Sequence, residues 1–156
     1  MLWLKPSGQD RRELGYADLI SKYQWFARRR VFWVGRGHSD GRLWFQVYDT
    51  KNATARGSST SVGTTKGVQR DCWTHIACVF RPGKMSVFVN GEPDASVDHD
   101  YPHLHHAPSV PLTIGWSMGG QGNGFFKGEL DDIRLFNRAL SAKEIAAIVR
   151  RGAMRN

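Results

Sequence analysis

"KGELDDIRLFNRALSAKEI", Lys127 to Ile145, sets three carboxylates, Glu129, Asp131 and Asp132, inside what reads as a β-strand and follows them with the start of a helix. Alternate strand residues share a face, so Glu129, Asp131, Ile133 and Leu135 point one way and Leu130, Asp132, Arg134 and Phe136 the other. Alternating carboxylates are one way to mount the acid and nucleophile of glycoside cleavage. That chemistry needs two carboxyl groups flanking the bond to be broken, and Ile133 takes the third place in the alternating set. The stretch reads as frame, not as an active site. Asp131 shares its side with Ile133 and Leu135, so it is expected to be partly buried and to pin the strand by accepting backbone or hydroxyl hydrogen bonds. Asp132 is expected in solvent beside Arg134. Ser141 and Glu144 then form a capping box, Ile145, Ile148 and Val149 repeat at helical spacing, and Gly152 is placed to end the helix.

Upstream, the chain punctuates as short strands between Gly, Pro, Asn and Asp. "LWLKP", "ADLISKY", "RRVFWVGR", "RLWFQVYD", "WTHIACVFR", "KMSVFVNG" and "PLTIGW" all read this way. Pro82-Gly83 joins two of them as a hairpin, and Asn90-Gly91 supplies the positive φ of a tight turn. "TKNATARGSSTSVGTTKG" reads as a long polar loop with one weak strand, and "EPDASVDHDYPHLHHAPS" as a second polar connection. Many strands and one terminal helix indicate an all-β sandwich, residues 1–156 forming a single domain.

With 156 residues, 40% hydrophobic and 23% charged, the chain can bury one core. No apolar run approaches the roughly 18 residues of a membrane span. "MLWLKPSGQD" lacks the long apolar core of a signal peptide, which leaves the compartment open. Net charge is +8, much of it in the Arg11-Arg12, Arg28-Arg29-Arg30 and Arg150-Arg151 clusters, with no nucleic-acid motif beside them. Such a surplus favours anionic partners such as acidic polysaccharide, or simply keeps the protein in solution. Cys72 and Cys78, six residues apart on one strand, are about 20 Å apart and cannot bridge each other. They are expected as free thiols, at least partly buried, with Trp73 packed into the core as the hairpin strand starts and Ile76 and Val79 further along.

Three groups of residues resemble a known family. "CWTHIACVFRPGKMSVFVNGEP" (72–93) is similar to the central hairpin of laminin-G-like domains, the concanavalin-A-like jelly rolls. "PLTIG" followed by "FFKGELDDIRLFNRALSAKEIAAI" resembles that family's closing signature. "LWLKPSG", "LISKY" and "GRLWFQVYD" match its earlier elements in order. The resemblance implies a concanavalin-A-like (laminin-G-like) β-sandwich with one short C-terminal helix. It also implies an opening strand, ahead of the W-L-K-P element, that pairs with the strand carrying Asp131 and Asp132. Here Met1 stands where that strand should be under way. An open edge is therefore expected, covered by another chain or a rearranged segment, with a homodimer favoured.

The resemblance implies a non-catalytic binding module, most readily for carbohydrate. Relatives bind through rim loops or a sheet face, with aromatic rings stacked on sugars and polar groups on hydroxyls. The candidates are Trp116, Tyr101 and Trp25, with Arg28 and Arg36 for anionic groups and Asn123 in the Gly-rich run. No cofactor is expected. Calcium is the possible exception, since relatives often hold one, at Asp131. His103, His105 and His106 could hold a transition metal, although their spacing fits no tight ligand pattern. The alternatives are a protein-interaction or assembly domain, and a glycan hydrolase or lyase with side chains converging around His75, His103 or Tyr101.

Overall fold

A computed structural model describes residues 1–7, 17–24, 29–37, 40–48, 59–116 and 124–153. Its strands are β1 (Leu2–Pro6), β2 (Ala17–Gln24), β3 (Arg29–Arg36), β4 (Leu43–Tyr48), β5 (Ser59–Gly63), β6 (Thr74–Arg81), β7 (Lys84–Val89), β8 (Glu92–Asp98), β9 (Thr113–Ile114) and β10 (Gly128–Asp131). The one helix among these residues, α1, spans Ala142–Ala153. Two antiparallel five-stranded sheets form, one in the order β10-β1-β6-β7-β8 and the other β5-β4-β3-β2-β9. Alternation dictates what lies between them. Leu2 and Leu4 of β1, Ile76 of β6, Met85 and Val87 of β7, Leu43, Phe45 and Val47 of β4 and Val34 of β3 form the shared core.

The opposite residues of the first sheet are covered as well. Ala77, Val79 and Phe88 pack under Leu140, Ile145 and Val149, so α1 lies on that sheet's outer side. Its start is fixed as the sequence requires. The Ser141 N–H and hydroxyl donate to Glu144 Oε2 at 2.8 Å, and the Glu144 N–H returns a bond to Ser141 Oγ at 3.3 Å. The helix runs one residue past Gly152, the expected stop. Asn90 and Gly91 adopt φ of 51° and 88° in the β7–β8 turn.

Several expectations need correction. Glu92–Asp98, read as loop, is a strand paired with β7 from Lys84↔Asp98 to Val89↔Glu92. The last strand stops at Asp131, because Asp132 turns to φ 46° and breaks the ladder. Asp131 is exposed rather than partly buried, and its Oδ1 accepts the Asp132 N–H at 2.7 Å across that kink. Asp132 is the half-buried member, gripped through both oxygens by Arg134 at 2.6 and 2.8 Å. Trp73 is half-buried under the Lys5 ammonium, 5.9 Å from the ring centre, and is not a core residue. Val79 belongs to the layer beneath the helix rather than to the core that holds Ile76. Both cysteines are free, but only Cys78 is half-buried; Cys72 lies before β6 begins at Thr74 and is exposed.

Candidate functional site

The helix covers one outer sheet face. The other sheet turns an aromatic and polar face outward. Since Leu43, Phe45 and Val47 point in, Trp44, Gln46 and Tyr48 point out, and the register brings Trp33 opposite Gln46 and Gly35 opposite Trp44. Glycines give the indoles room to lie flat. A Cβ at Gly35 would sit 2.2 Å from Trp33 Cζ2, and one at Gly63 would sit 3.0 Å from Trp44 Cδ2. Each indole therefore rests on bare backbone beside it, the arrangement a stacking platform needs.

Polar groups fix these rings. Trp33 Nε1 donates to Asp18 Oδ1, and Asp18 lies opposite Gly35. The Arg42 guanidinium lies 4.8 Å from the Trp44 ring centre, and its Nε donates to the Thr64 carbonyl. Gln46 Nε2 donates to Ser59 Oγ at 2.7 Å, and Tyr48 Oη donates to Gln46 Oε1 at 3.1 Å. Arg30 stacks with Tyr23 at 5.3 Å and Tyr48 at 5.4 Å. Burial raises both tyrosine hydroxyls above their usual range, so they remain neutral donors. The face thus offers two fixed indoles, amide and hydroxyl groups and the Arg42 guanidinium, while Tyr23, Tyr48 and Arg30 form a buried stack beside them.

The row Gly63–Trp44–Gly35–Asp18 runs across the sheet to Gly124, whose carbonyl accepts the Asp18 N–H at 3.0 Å. At that end stand Trp116 and Phe125, 41% and 66% exposed and stacked with centroids 6.3 Å apart. Trp116, marked out by the sequence, is thus an exposed ring at the sheet's β9 edge. Tyr101 is instead a core residue, 8% exposed, stacked on His99 and accepting a bond from the Thr60 hydroxyl. Arg36 is buried at the end of β3, where burial and then Arg70 push its pKa down. Trp25, Arg28 and Asn123 lie outside the described residues.

The proposed metal ligands do not converge. His103 and His106 are exposed and His105 half-buried in the segment after β8, while Asp131 belongs to β10. Among the described residues no three His, Cys, Asp or Glu side chains form a metal-binding group. A catalytic cluster around His75 is not assembled either. His75 is 1% exposed against Trp3, and burial holds its pKa down to about 4.

The reading from sequence missed Trp33, Trp44, Gln46, Tyr23 and Tyr48. The available signal was glycine two residues from one tryptophan and across the ladder from the other. It becomes legible only once the register of β3, β4 and β5 is known.

The sandwich thus has one outer face covered by the helix and one outer face carrying aromatic and polar side chains. A family profile, described as the concanavalin A-like lectin/glucanases superfamily, matches residues 1–146. The chain belongs to that superfamily. No curated protein matches it. Among solved structures it is similar to a Bacteroides ovatus protein assigned to carbohydrate binding, with 16% identity and TM-score 0.69 over 93% of this chain and 38% of that one. It is also similar to the heptameric SAP-like pentraxin of Limulus polyphemus, at 18% identity and TM-score 0.64 over 95% of this chain and 67% of that one. A third is the Ruminococcus gnavus IT-sialidase CBM40 bound to α2,3 sialyllactose, with 14% identity and TM-score 0.66 over 95% of this chain and 79% of that one. At these identities the likeness establishes the fold. The chain spans 38% of the Bacteroides protein's length. No helix among the described residues is long and apolar enough to cross a membrane.

Proposed function

We propose that the chain is a non-catalytic carbohydrate-binding module whose ligand lies on the outer face of the β5-β4-β3-β2-β9 sheet. The observation that carries this reading is the pair of indoles laid flat over Gly35 and Gly63 beside Gln46, Ser59 and Asp18. Stacking on a flat ring suits the apolar face of a pyranose, and the amide and hydroxyl groups of Gln46 and Ser59 suit its hydroxyls, while buried Asp18 holds the Trp33 ring. Trp116 and Phe125 extend the platform at the β9 edge. The charge of +8 and the half-buried guanidinium of Arg42 over Trp44 favour sugars carrying carboxylate or sulfate. The sialyllactose-bound neighbour is consistent with that preference.

The test is a glycan array followed by titration of the hits against wild type and Trp33→Ala. The substitution is expected to weaken binding by about tenfold or more, the contribution of one stacked ring, with the thermal midpoint measured alongside. Undiminished affinity in a folded Trp33→Ala protein would move the site off this face.

A further inference from the structure

Arg36 ends β3 on the buried side of the sheet. Val34 points into the core, so alternation sends Arg36 the same way, and its partner across the ladder is the core residue Leu43. Arg36 is 7% exposed, and its Nε is buried without a hydrogen-bond partner. An arginine is rarely admitted to an interior unless its donors are paired. Among the described residues Arg36 makes no hydrogen bond and no ion pair.

Glycine backbone lies against this guanidinium. Gly41 adopts φ 68°, and a Cβ there would sit 3.4 Å from Arg36 Nη2. Gly67 packs on the same turn so closely that a Cβ would fall 2.3 Å from the Asp40 carbonyl oxygen. The Val68 N–H then donates to the Gly41 carbonyl at 3.1 Å. The connection between β5 and β6, residues 64–73, is thereby fastened onto the β3–β4 turn beside Arg36.

The charge at this end of the sandwich is unbalanced. Arg70, from that connection, acts on Arg36 more strongly than Asp40 does. Asp40 is engaged with Arg42, whose N–H donates to Oδ1 at 3.0 Å and whose Nε lies 3.9 Å from Oδ2. Arg70 has no ion pair among the described residues. Two guanidiniums thus share one recess with no carboxylate assigned to either.

We propose that this recess, between the β3–β4 turn and residues 64–73, is an oxyanion-binding site in which Arg36 and Arg70 grip a sulfate, phosphate or carboxylate group. The guanidinium fork offers parallel N–H donors that match two oxygens of such a group, and it is weakly enough hydrated to work in a recess. A neutral hydroxyl would leave both charges uncompensated, the unfavourable state for a buried ion. With so little of Arg36 at the surface, the recess admits one anionic group rather than a length of polymer. Trp44 points out of the sheet and Arg36 into it, so this site lies on the other side of the β3–β4 turn from the sheet-face platform. It stands whether or not that face binds sugar.

The probe is inorganic sulfate, exchanged for chloride at constant ionic strength. The readout is the Arg36 Nε–H resonance of isotope-labelled protein, assigned by its loss in Arg36→Met. Sulfate should shift that resonance saturably in the millimolar range. Arg70→Gln keeps Arg36 in place and should weaken the response about tenfold, the contribution of one charge-assisted hydrogen bond. In chloride alone, Arg36→Met should match or exceed the wild-type thermal midpoint, because it removes a buried charge that lacks a partner. Sulfate should raise the wild-type midpoint beyond the general salt effect that both proteins share. A sulfated disaccharide acting at lower concentration than sulfate, with its unsulfated form inactive, identifies the source of the group as a glycan. Equal concentrations identify the free ion, and either result supports the site. Trp33→Ala should leave the sulfate response intact, so failure of the sheet-face site and failure of this one show separately. An Arg36 resonance that sulfate does not move, or an Arg36→Met protein clearly less stable in chloride, would mean that the fold itself satisfies the guanidinium and would overturn the site. A response unchanged in Arg70→Gln would overturn the paired grip.

Discussion

His75 shows how one buried side chain sets the acid behaviour of the molecule. Its ring is edge-on to Trp3 at 5.3 Å, and Nδ1 is buried without a hydrogen-bond partner. Burial, then the nearby N-terminal ammonium, hold the folded-state pKa at about 4, against 6.5 when unfolded. Between these values the unfolded chain binds a proton that the folded chain refuses, so stability falls as pH drops from 6.5 towards 4. The loss reaches about 3 kcal/mol for a shift of this size. Urea titrations from neutral pH to pH 4 should show that decline in wild type and a flatter profile over the same window in His75→Gln. A parallel decline in both would place the acid sensitivity elsewhere. Gly35 makes a second prediction at this scale. Its missing Cβ is what admits Trp33, and an added one would also meet the Ala17 carbonyl at 2.7 Å, which is backbone and cannot swing aside. Gly35→Ala should cost about 1–3 kcal/mol by overpacking and should displace the Trp33 indole, seen as a shifted tryptophan emission maximum. Unchanged emission and midpoint would mean that the ring does not depend on the glycine.

Helix α1 seals the first sheet through Ile145 and Val149 and is anchored at Ser141. Ser141→Ala removes the hydroxyl that caps the Glu144 N–H and should cost about 1 kcal/mol. Ile145→Ala empties a fully buried position and should cost about 2–5 kcal/mol. Equal costs in denaturant melts would mean that the cap, rather than the packed face, holds the helix. Elements of this kind were legible in the sequence because capping box and helical spacing are local signals. β8 was not. "EPDASVD" carries proline and three carboxylates, and it forms a strand because β7 offers an edge, which is a tertiary cause. β10 failed in the opposite sense. Its apolar residues extend to Phe136, but the left-handed turn at Asp132 ends the ladder at Asp131, and a single residue's φ is not visible in the apolar pattern. The aromatic face stayed hidden for a related reason. Alternation alone leaves open which side Trp33 and Trp44 take until inward-pointing Val34, Leu43 and Phe45 fix the outer face for them.

At the scale of the whole molecule, the surplus of positive charge and the aromatic sheet face make separable contributions to binding. Stacking on Trp33 and Trp44 depends on ring geometry and is indifferent to salt, whereas attraction through Arg42 and the general field of +8 is screened. Raising salt from about 0.1 M to about 1 M shortens the screening length from about 10 Å to about 3 Å. An acidic polysaccharide should therefore lose affinity steeply over that range. A neutral oligosaccharide that binds the same face should keep most of its affinity, and Trp33→Ala should weaken both at either salt concentration. Titration of the two ligands across the series separates the contributions. A neutral ligand as salt-sensitive as the acidic one would mean that the response reflects a change in the protein itself. An acidic ligand insensitive to both salt and Trp33→Ala would place recognition away from the sheet face and its arginines.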